Sequence, residues 1–319
     1  MEGSLRNKKV LVTGGAGFVG SNLVRQLVAD ENSVTVLDDF FTGRAEFLKN
    51  VDCKIIKGSV ADAQTVRTAV EGNEIVFHLA ARNIIVSNSK PREDMEVNVG
   101  GTFNVLEACR DHGVSRIVYA STASVYGNPK ILPVIEDGEK LFLSFYSASK
   151  FCGEVYCNTF YEVQGLPVSV VRYSNVYGYN QSPGNPYCGV IGKFLFAALK
   201  NQPLLIHGDG EQTRDFTFIK DAVSATIQAA VVPRAIGQTY NIATGVDVSV
   251  TMLAKQIVEV TNSKSEIRQI DRRDIDNIRR RVLNIEKIRH ELNYSPQYNL
   301  KTGLEKTYEW MISHINLFE

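Results

Sequence analysis

The stretch Val10-Leu11-Val12-Thr13-Gly14-Gly15-Ala16-Gly17-Phe18-Val19-Gly20 decides the fold of this chain. Four apolar or β-branched residues read as a strand, the glycines as a turn, and the residues from Phe18 onward as the start of an amphipathic helix. Gly14, Gly17 and Gly20 are spaced GxxGxxG, with Gly15 as a fourth glycine. Without Cβ atoms the turn can bend tightly, and its backbone N–H groups can approach a pyrophosphate at the helix N-terminus. Such a pattern alone is a weak signal; its place between a strand and a helix gives it weight.

Working outward, apolar runs alternate with helical patterns. Strands are expected at 10–13, 33–38, 53–57, 74–79, 115–120 and 167–172, with amphipathic stretches near 18–30, 62–71, 92–112 and 147–164. Alternating β and α with near-continuous Val/Ile strands predicts an α/β fold, a doubly wound, Rossmann-type parallel sheet covered on both faces. The segment 128–144, with Pro129, Pro133 and Gly138, reads as a long loop able to approach a ligand. Beyond Arg172 the pattern loosens: a loop at 178–189, a helix near 190–200, a strand at 204–207, a turn at Gly208-Asp209-Gly210, then a strand and helix over 216–231. This predicts a cofactor domain over 1–173 plus about 213–240. A smaller mixed α/β substrate domain is expected from 174–212 and 241–319.

At 319 residues the chain can bury a large core, and Lys+Arg and Asp+Glu balance at 35 each. No basic field for nucleic acid exists. No apolar run reaches membrane-spanning length, and the N-terminal residues lack the apolar core of a signal peptide. The five cysteines, Cys53, Cys109, Cys152, Cys157 and Cys188, fall in no metal-ligand spacing and fit reduced thiols in a cytoplasmic protein. No metal is expected.

Asp38 closes the second strand, eighteen residues after Gly20. A carboxylate there can accept both ribose hydroxyls and repels a 2′-phosphate, which favours NAD over NADP. Asp39 is the neighbouring alternative. Arg44 makes no strong case for NADP.

Tyr146 and Lys150 stand i, i+4, so on a helix they share one face. A phenol with an ordinary pKa near 10 is a poor base at neutral pH. Lowering it by about three units takes roughly 4 kcal/mol, which a nearby ammonium and a cationic nicotinamide are expected to supply. Ser121, Thr122 and Ser124 follow the fifth strand. Ligands of open parallel sheets bind beyond the carboxyl ends of the strands, so these hydroxyls are expected to face the cofactor and share a proton with the tyrosine.

Together these residues resemble the extended short-chain dehydrogenase/reductases, in particular the NAD-dependent nucleotide-sugar epimerases and dehydratases. The resemblance spans nearly the whole chain. It includes His78-Leu79-Ala80-Ala81, Asn98 before Val99-Gly100-Gly101-Thr102, Arg172-Tyr173-Ser174-Asn175-Val176-Tyr177-Gly178, and 208–216. It implies that Phe18 and Val19 contact the pyrophosphate through their backbone and that Val60 lies by the adenine. An acid usual before that position is Ser59 here. Leu79, Ala80 and Ala81 would line the cofactor site, and Asn98, Ser121 and Tyr173 would belong to it. Thr122, Tyr146 and Lys150 would be the catalytic hydroxyl, the base and its charged partner. Ser124, Asn175 and Arg214 would hold the nucleotide sugar, Arg being suited to bidentate phosphate contact. The alternative for Arg214 is an ion pair with Asp215 or Glu211. Arg273 and Asp276 fall where the family has a phosphate- and ribose-binding motif, although Ile275 replaces its glycine.

Within that family, dehydratases carry an Asp-Glu pair in the hydroxyl motif and decarboxylases a Glu at the position of Ser124. This chain has Ala123 and Ser124. The resemblance therefore implies a 4-epimerase acting through a transient 4-keto sugar, with a UDP-hexose, UDP-N-acetylhexosamine or UDP-hexuronate as substrate. A dehydratase or decarboxylase drawing an acid such as Glu136 or Asp137 from the long loop is the alternative, and a catalytically silent dinucleotide-binding protein a remote one. One of Arg279–Arg281 is expected near the sugar, where Arg280 would suit a uronate carboxylate. The family usually forms homodimers through the helices corresponding to 92–112 and 147–164.

Overall fold

The computed structural model describes residues 5–181, 188–272 and 278–317. In chain order the strands are β1 (Lys9–Thr13), β2 (Ser33–Asp38), β3 (Cys53–Lys57), β4 (Ile75–His78), β5 (Arg116–Thr122), β6 (Val168–Tyr173), β7 (Asn175–Tyr177), β8 (Leu204–His207), β9 (Thr213–Phe218), β10 (Thr239–Ile242), β11 (Asp247–Ser249), β12 (Ile267–Ile270) and β13 (Arg280–Arg281). The helices are α1 (Phe18–Ala29), α2 (Ala63–Val70), α3 (Ile84–Ser89), α4 (Pro91–Asp94), α5 (Gly101–Asp111), α6 (Phe145–Gln164), α7 (Val190–Leu199), α8 (Ile219–Val231), α9 (Val250–Thr261), α10 (Glu286–Leu292) and α11 (Leu300–Ser313).

Seven strands form one parallel sheet in the order β10-β6-β5-β4-β1-β2-β3. Strand alternation explains why helices cover both faces. Val10 and Val12 of β1 join Leu23, Leu27 and Ala225 in one core. Leu11, between them, turns to the opposite core with Val66, Val76 and Leu106. A strand buried on both sides reads as a continuous apolar run. The order reverses between β1 and β4, and the crevice outside their carboxyl ends is where such sheets bind ligands.

Three details differ from the expectation. β5 runs on to Thr122, so Ser121 and Thr122 are strand residues facing opposite sides of the sheet. The helix expected over 92–112 is divided by a π-helical stretch, Met95–Gly100, between α4 and α5. Such wide turns are common at functional sites, and this one carries the buried Asn98. The segment 213–240 splits between sheets: β9 pairs with β7, β11 and β13 in a small four-stranded sheet, whereas β10 extends the large one beside β6.

Candidate active site

Gly14, Gly17, Phe18, Val19 and Gly20 form the floor of a cavity of about 190 Å³ at the switch point. Gly14 has φ +71°, and a Cβ there would lie 2.8 Å from the Ala80 nitrogen. A Cβ on Gly20 would come within 2.1 Å of Gly14 O, so α1 packs on the turn only because this residue is glycine. Gly17 caps α1 and makes no side-chain cap hydrogen bond. The first amides of α1 therefore remain available to an anion. Leu79, Ala80 and Ala81 form the adjoining wall; Asp38 and Val60 lie on the other side. This floor, wall and carboxylate fit a dinucleotide, whose pyrophosphate the amides of Phe18 and Val19 would hold and whose ribose Asp38 would hold.

Asp38 also shapes its own loops. Its Oδ2 accepts the Ala16 N–H and its Oδ1 the Phe40 N–H, both at 2.8 Å. Burial pushes its carboxyl pKa up against the pull of those amides. Asp39 also lines the cavity, but its carboxylate pairs with Arg82 at 2.8 Å, and Arg82 also binds Glu93 at 2.7 Å and lies over the Phe41 ring. The sequence reading missed this clamp, since an arginine in a loop carries no pattern of its own. Arg44 turns away, donating to Leu317 O.

Tyr146 and Lys150 occupy the first two turns of α6, whose start is fixed by a capping box between Ser144 and Ser147. Thr122 faces Tyr146 from β5. Burial pushes the Tyr146 phenol up to about 12, the Thr122 hydroxyl pulling against it and the Asp94 charge adding to it. The lowering expected from Lys150 is not found: desolvation sets the direction, and only the Thr122 hydroxyl opposes it. Lys150 is itself only 2% exposed, and burial lowers it to about 8 against the support of Cys157, Glu154 and Asp94. Its Nζ sits 4.1 Å from the Tyr119 ring centroid.

Ser121 departs from its expected role. Its hydroxyl donates to Glu154, as strand alternation requires of the neighbour of Thr122. Glu154 lies one turn beyond Lys150 and forms a buried ion pair with Arg172 of β6. Arg172 also donates to Tyr126 Oη and Glu136 O. The signal for this network was an arginine inside the apolar strand Val168–Tyr173, which demands a buried partner. Tyr173 likewise spends its hydroxyl away from the cofactor cavity, on Thr226 of α8 at 2.6 Å.

Asn98 is fully buried and acts through the chain. Its Oδ1 accepts the Arg82 N–H and its Nδ2 donates to Arg82 O, which fixes the cavity wall. A second relay holds Ala80. Thr102 donates to Asn98 O, so it accepts from His78 Nε2; His78 Nδ1 then accepts from Thr13, which accepts the Ala80 N–H. That chain assigns one neutral tautomer to His78. Burial, helped by the Lys150 charge, lowers its pKa to about 3.

On the other side, Ser124 donates its backbone N–H to Thr122 Oγ1. Asn175 begins β7, and Arg214 is buried in β9, donating to Thr213 O and Ile278 O. Asp215 instead accepts from Thr244 and Gly245. Arg273 and Asp276 lie outside the described residues. Arg279 pairs with Asp209 and Arg280 with Asp247, both exposed, while Arg281 is buried. Glu136 is buried with Oε1 on the Asn241 N–H, so this loop acid is engaged.

The NAD dependent epimerase/dehydratase family model matches residues 10–243. The chain is 35% identical over 317 residues to a UDP-N-acetyl-α-D-glucosaminuronate decarboxylase of Bacillus cytotoxicus, covering 95% of this chain and 97% of that one. It is 37% identical over 309 residues to a UDP-glucose 4-epimerase of Mycolicibacterium smegmatis, covering 95% and 98%. The crystal structure of UDP-glucose 4-epimerase from Thermotoga maritima with UDP-glucose superposes with a TM-score of 0.92 at 31% identity, covering 96% of this chain and 99% of that one. With its glycine cradle, parallel sheet and Tyr146–Lys150 helix, this chain belongs to the NAD-dependent epimerase/dehydratase family of nucleotide-sugar enzymes.

Proposed function

We propose that this enzyme catalyses NAD-dependent 4-epimerisation of a UDP-sugar through a transient 4-keto sugar. The observation that carries this reading is the meeting of Thr122 and Tyr146 at the carboxyl end of β5, in the sheet that carries the glycine cradle, with Ala123 and Ser124 following where an additional acid would sit. NAD, when bound, would supply the hydride acceptor and donor and a positive charge. Tyr146 removes the proton of the sugar C4 hydroxyl, and Thr122 donates a hydrogen bond to that oxygen. Lys150 holds positive charge behind the phenol. After the keto sugar presents its other face, Tyr146 returns the proton, so no atom is lost from the substrate. General acid–base assistance of this kind contributes about 10²–10⁴-fold.

The UDP moiety is supported by two of the relatives, which are named for UDP-sugars, whereas others at 33% identity are named for dTDP-D-glucose. Asn175 and Arg214 of the small sheet, with Arg273 and Asp276, are assigned to the nucleotide sugar, and the large sheet is the cofactor unit. A second copy is the expected partner: α5 and α6 expose Phe103 (38%), Val155 (49%) and Val163 (73%). Five free cysteines support a reducing cytoplasm.

The decarboxylase relative favours a second reading, removal of a sugar carboxylate as CO₂. A panel of UDP-hexoses, UDP-N-acetylhexosamines and UDP-hexuronates, followed by NMR and mass spectrometry, separates the two. Epimerisation conserves product mass and leaves no NADH. Loss of CO₂ or of water overturns the proposal.

A further inference from the structure

Asp94 ends α4 and is 3% exposed, yet no step of the proposed reaction uses it. One oxygen, Oδ1, accepts from Ser87 Oγ at 2.5 Å, Asn98 Nδ2 at 2.6 Å and Ser149 Oγ at 3.0 Å. These donors sit on three elements: α3, the π-helical stretch and α6. Ser149 stands between Tyr146 and Lys150, and its hydroxyl also reaches Tyr146 O at 3.1 Å. Asn98 grips both backbone polar atoms of Arg82 in the cofactor wall. A single carboxylate therefore ties that wall to the helix of the acid–base pair. Acceptance by an ionised oxygen makes each of these hydrogen bonds stronger than a neutral one.

We propose that Asp94 is a positioning residue: it fixes the Tyr146–Lys150 helix against the cofactor wall and places a negative charge behind both groups. Only its kinetic arm rests on the reaction proposed above. The groups facing the pair are Thr122 and Tyr119 from β5, His78 from β4, Glu154 and Cys157 from α6, and Asp94 itself. Burial pushes the phenol up and the ammonium down, whereas the Asp94 charge raises both. Removing that charge should therefore ease ionisation of the phenol.

Three variants test this. Asp94→Asn keeps an acceptor oxygen and removes the charge. Asp94→Ala removes both, and Ser149→Ala deletes the α6 donor together with the hydrogen bond it accepts from Asn98 Nδ2. Phenolate difference spectra of the NAD-loaded protein, with Tyr146→Phe as blank, read Tyr146 alone. In Asp94→Asn the phenol should titrate about half a pH unit lower, and the acidic limb of kcat should follow it. In Ser149→Ala, kcat should fall about tenfold with NAD affinity unchanged, and Asp94→Ala should lose about a hundredfold, as displacement by about 1 Å implies. An Asp94→Asn phenol that titrates like the parent, or a Ser149→Ala enzyme with undiminished kcat, overturns the proposal. The phenol titration needs no sugar, so it judges Asp94 separately; failure of every UDP-sugar to turn over would count against the reaction instead.

Discussion

Glu154 and Arg172 form a buried ion pair between α6 and β6, each side chain 5% exposed. Burial alone would lower the Arg172 pKa, but hydrogen bonds and charge from Glu154, with Tyr126, outweigh it. Ser121 and the Glu136 carbonyl complete the cluster behind the Tyr146–Lys150 helix.

Removing one partner of such a pair leaves an uncompensated buried charge, at a cost of about 3–5 kcal/mol. Glu154→Gln and Arg172→Met should each lower unfolding free energy by that order in urea titrations. The double replacement by apolar residues should cost less than the two single changes summed. Strict additivity would show that the pair is not coupled.

Tyr146→Phe keeps the ring and removes the ionisable oxygen. It should lower kcat about 10²–10⁴-fold while leaving NAD affinity within a few-fold. In the parent enzyme kcat should rise with pH, because the phenol sits at about 12 through burial and must ionise to act as a base. A flat profile, or loss of NAD binding equal to the loss of rate, would contradict the assigned role.

Asp38 presents a carboxylate to the cavity while holding the Ala16 and Phe40 amides. Asp38→Asn should lose preference for NAD over NADP by about tenfold, the worth of roughly 1.4 kcal/mol of charge repulsion. Titration calorimetry with both dinucleotides measures the ratio. An unchanged ratio would move the ribose contact elsewhere.

His78 is held neutral, its pKa lowered from 6.5 to about 3 by burial and the Lys150 charge. The unfolded chain takes up this proton near 6.5, so the associated stability is lost as pH falls from about 6.5 toward 3. The full loss is on the order of 5 kcal/mol. Asp215, raised to about 6 by burial, acts in the opposite sense, gaining stability as pH falls from about 6 toward 3.8. His78→Asn should flatten the acid limb of the stability curve measured by denaturant titration between pH 6.5 and 4.

Local patterning was enough for the cradle and for six of the sheet's seven strands, β10 having been missed. The runs at 33–38, 53–57 and 204–207 match β2, β3 and β8 because apolar strands between turn residues need no distant information. Gly14, Gly17 and Gly20 pointed to the cavity because a tight βα turn at a helix N-terminus is itself a short-range device. The i, i+4 spacing of Tyr146 and Lys150 likewise placed both on α6. The tertiary structure alone decided which polar side chains face the cofactor and which face the core. Whether Ser121 or Thr122 meets Tyr146 turns on where β5 ends, and strand alternation reverses the answer with a shift of one residue. The Arg82 clamp, the Glu154–Arg172 pair and the Asp94 junction each join residues from separate elements. Their electrostatics follow from burial, and burial is a property of the packed chain, which no spacing of letters encodes.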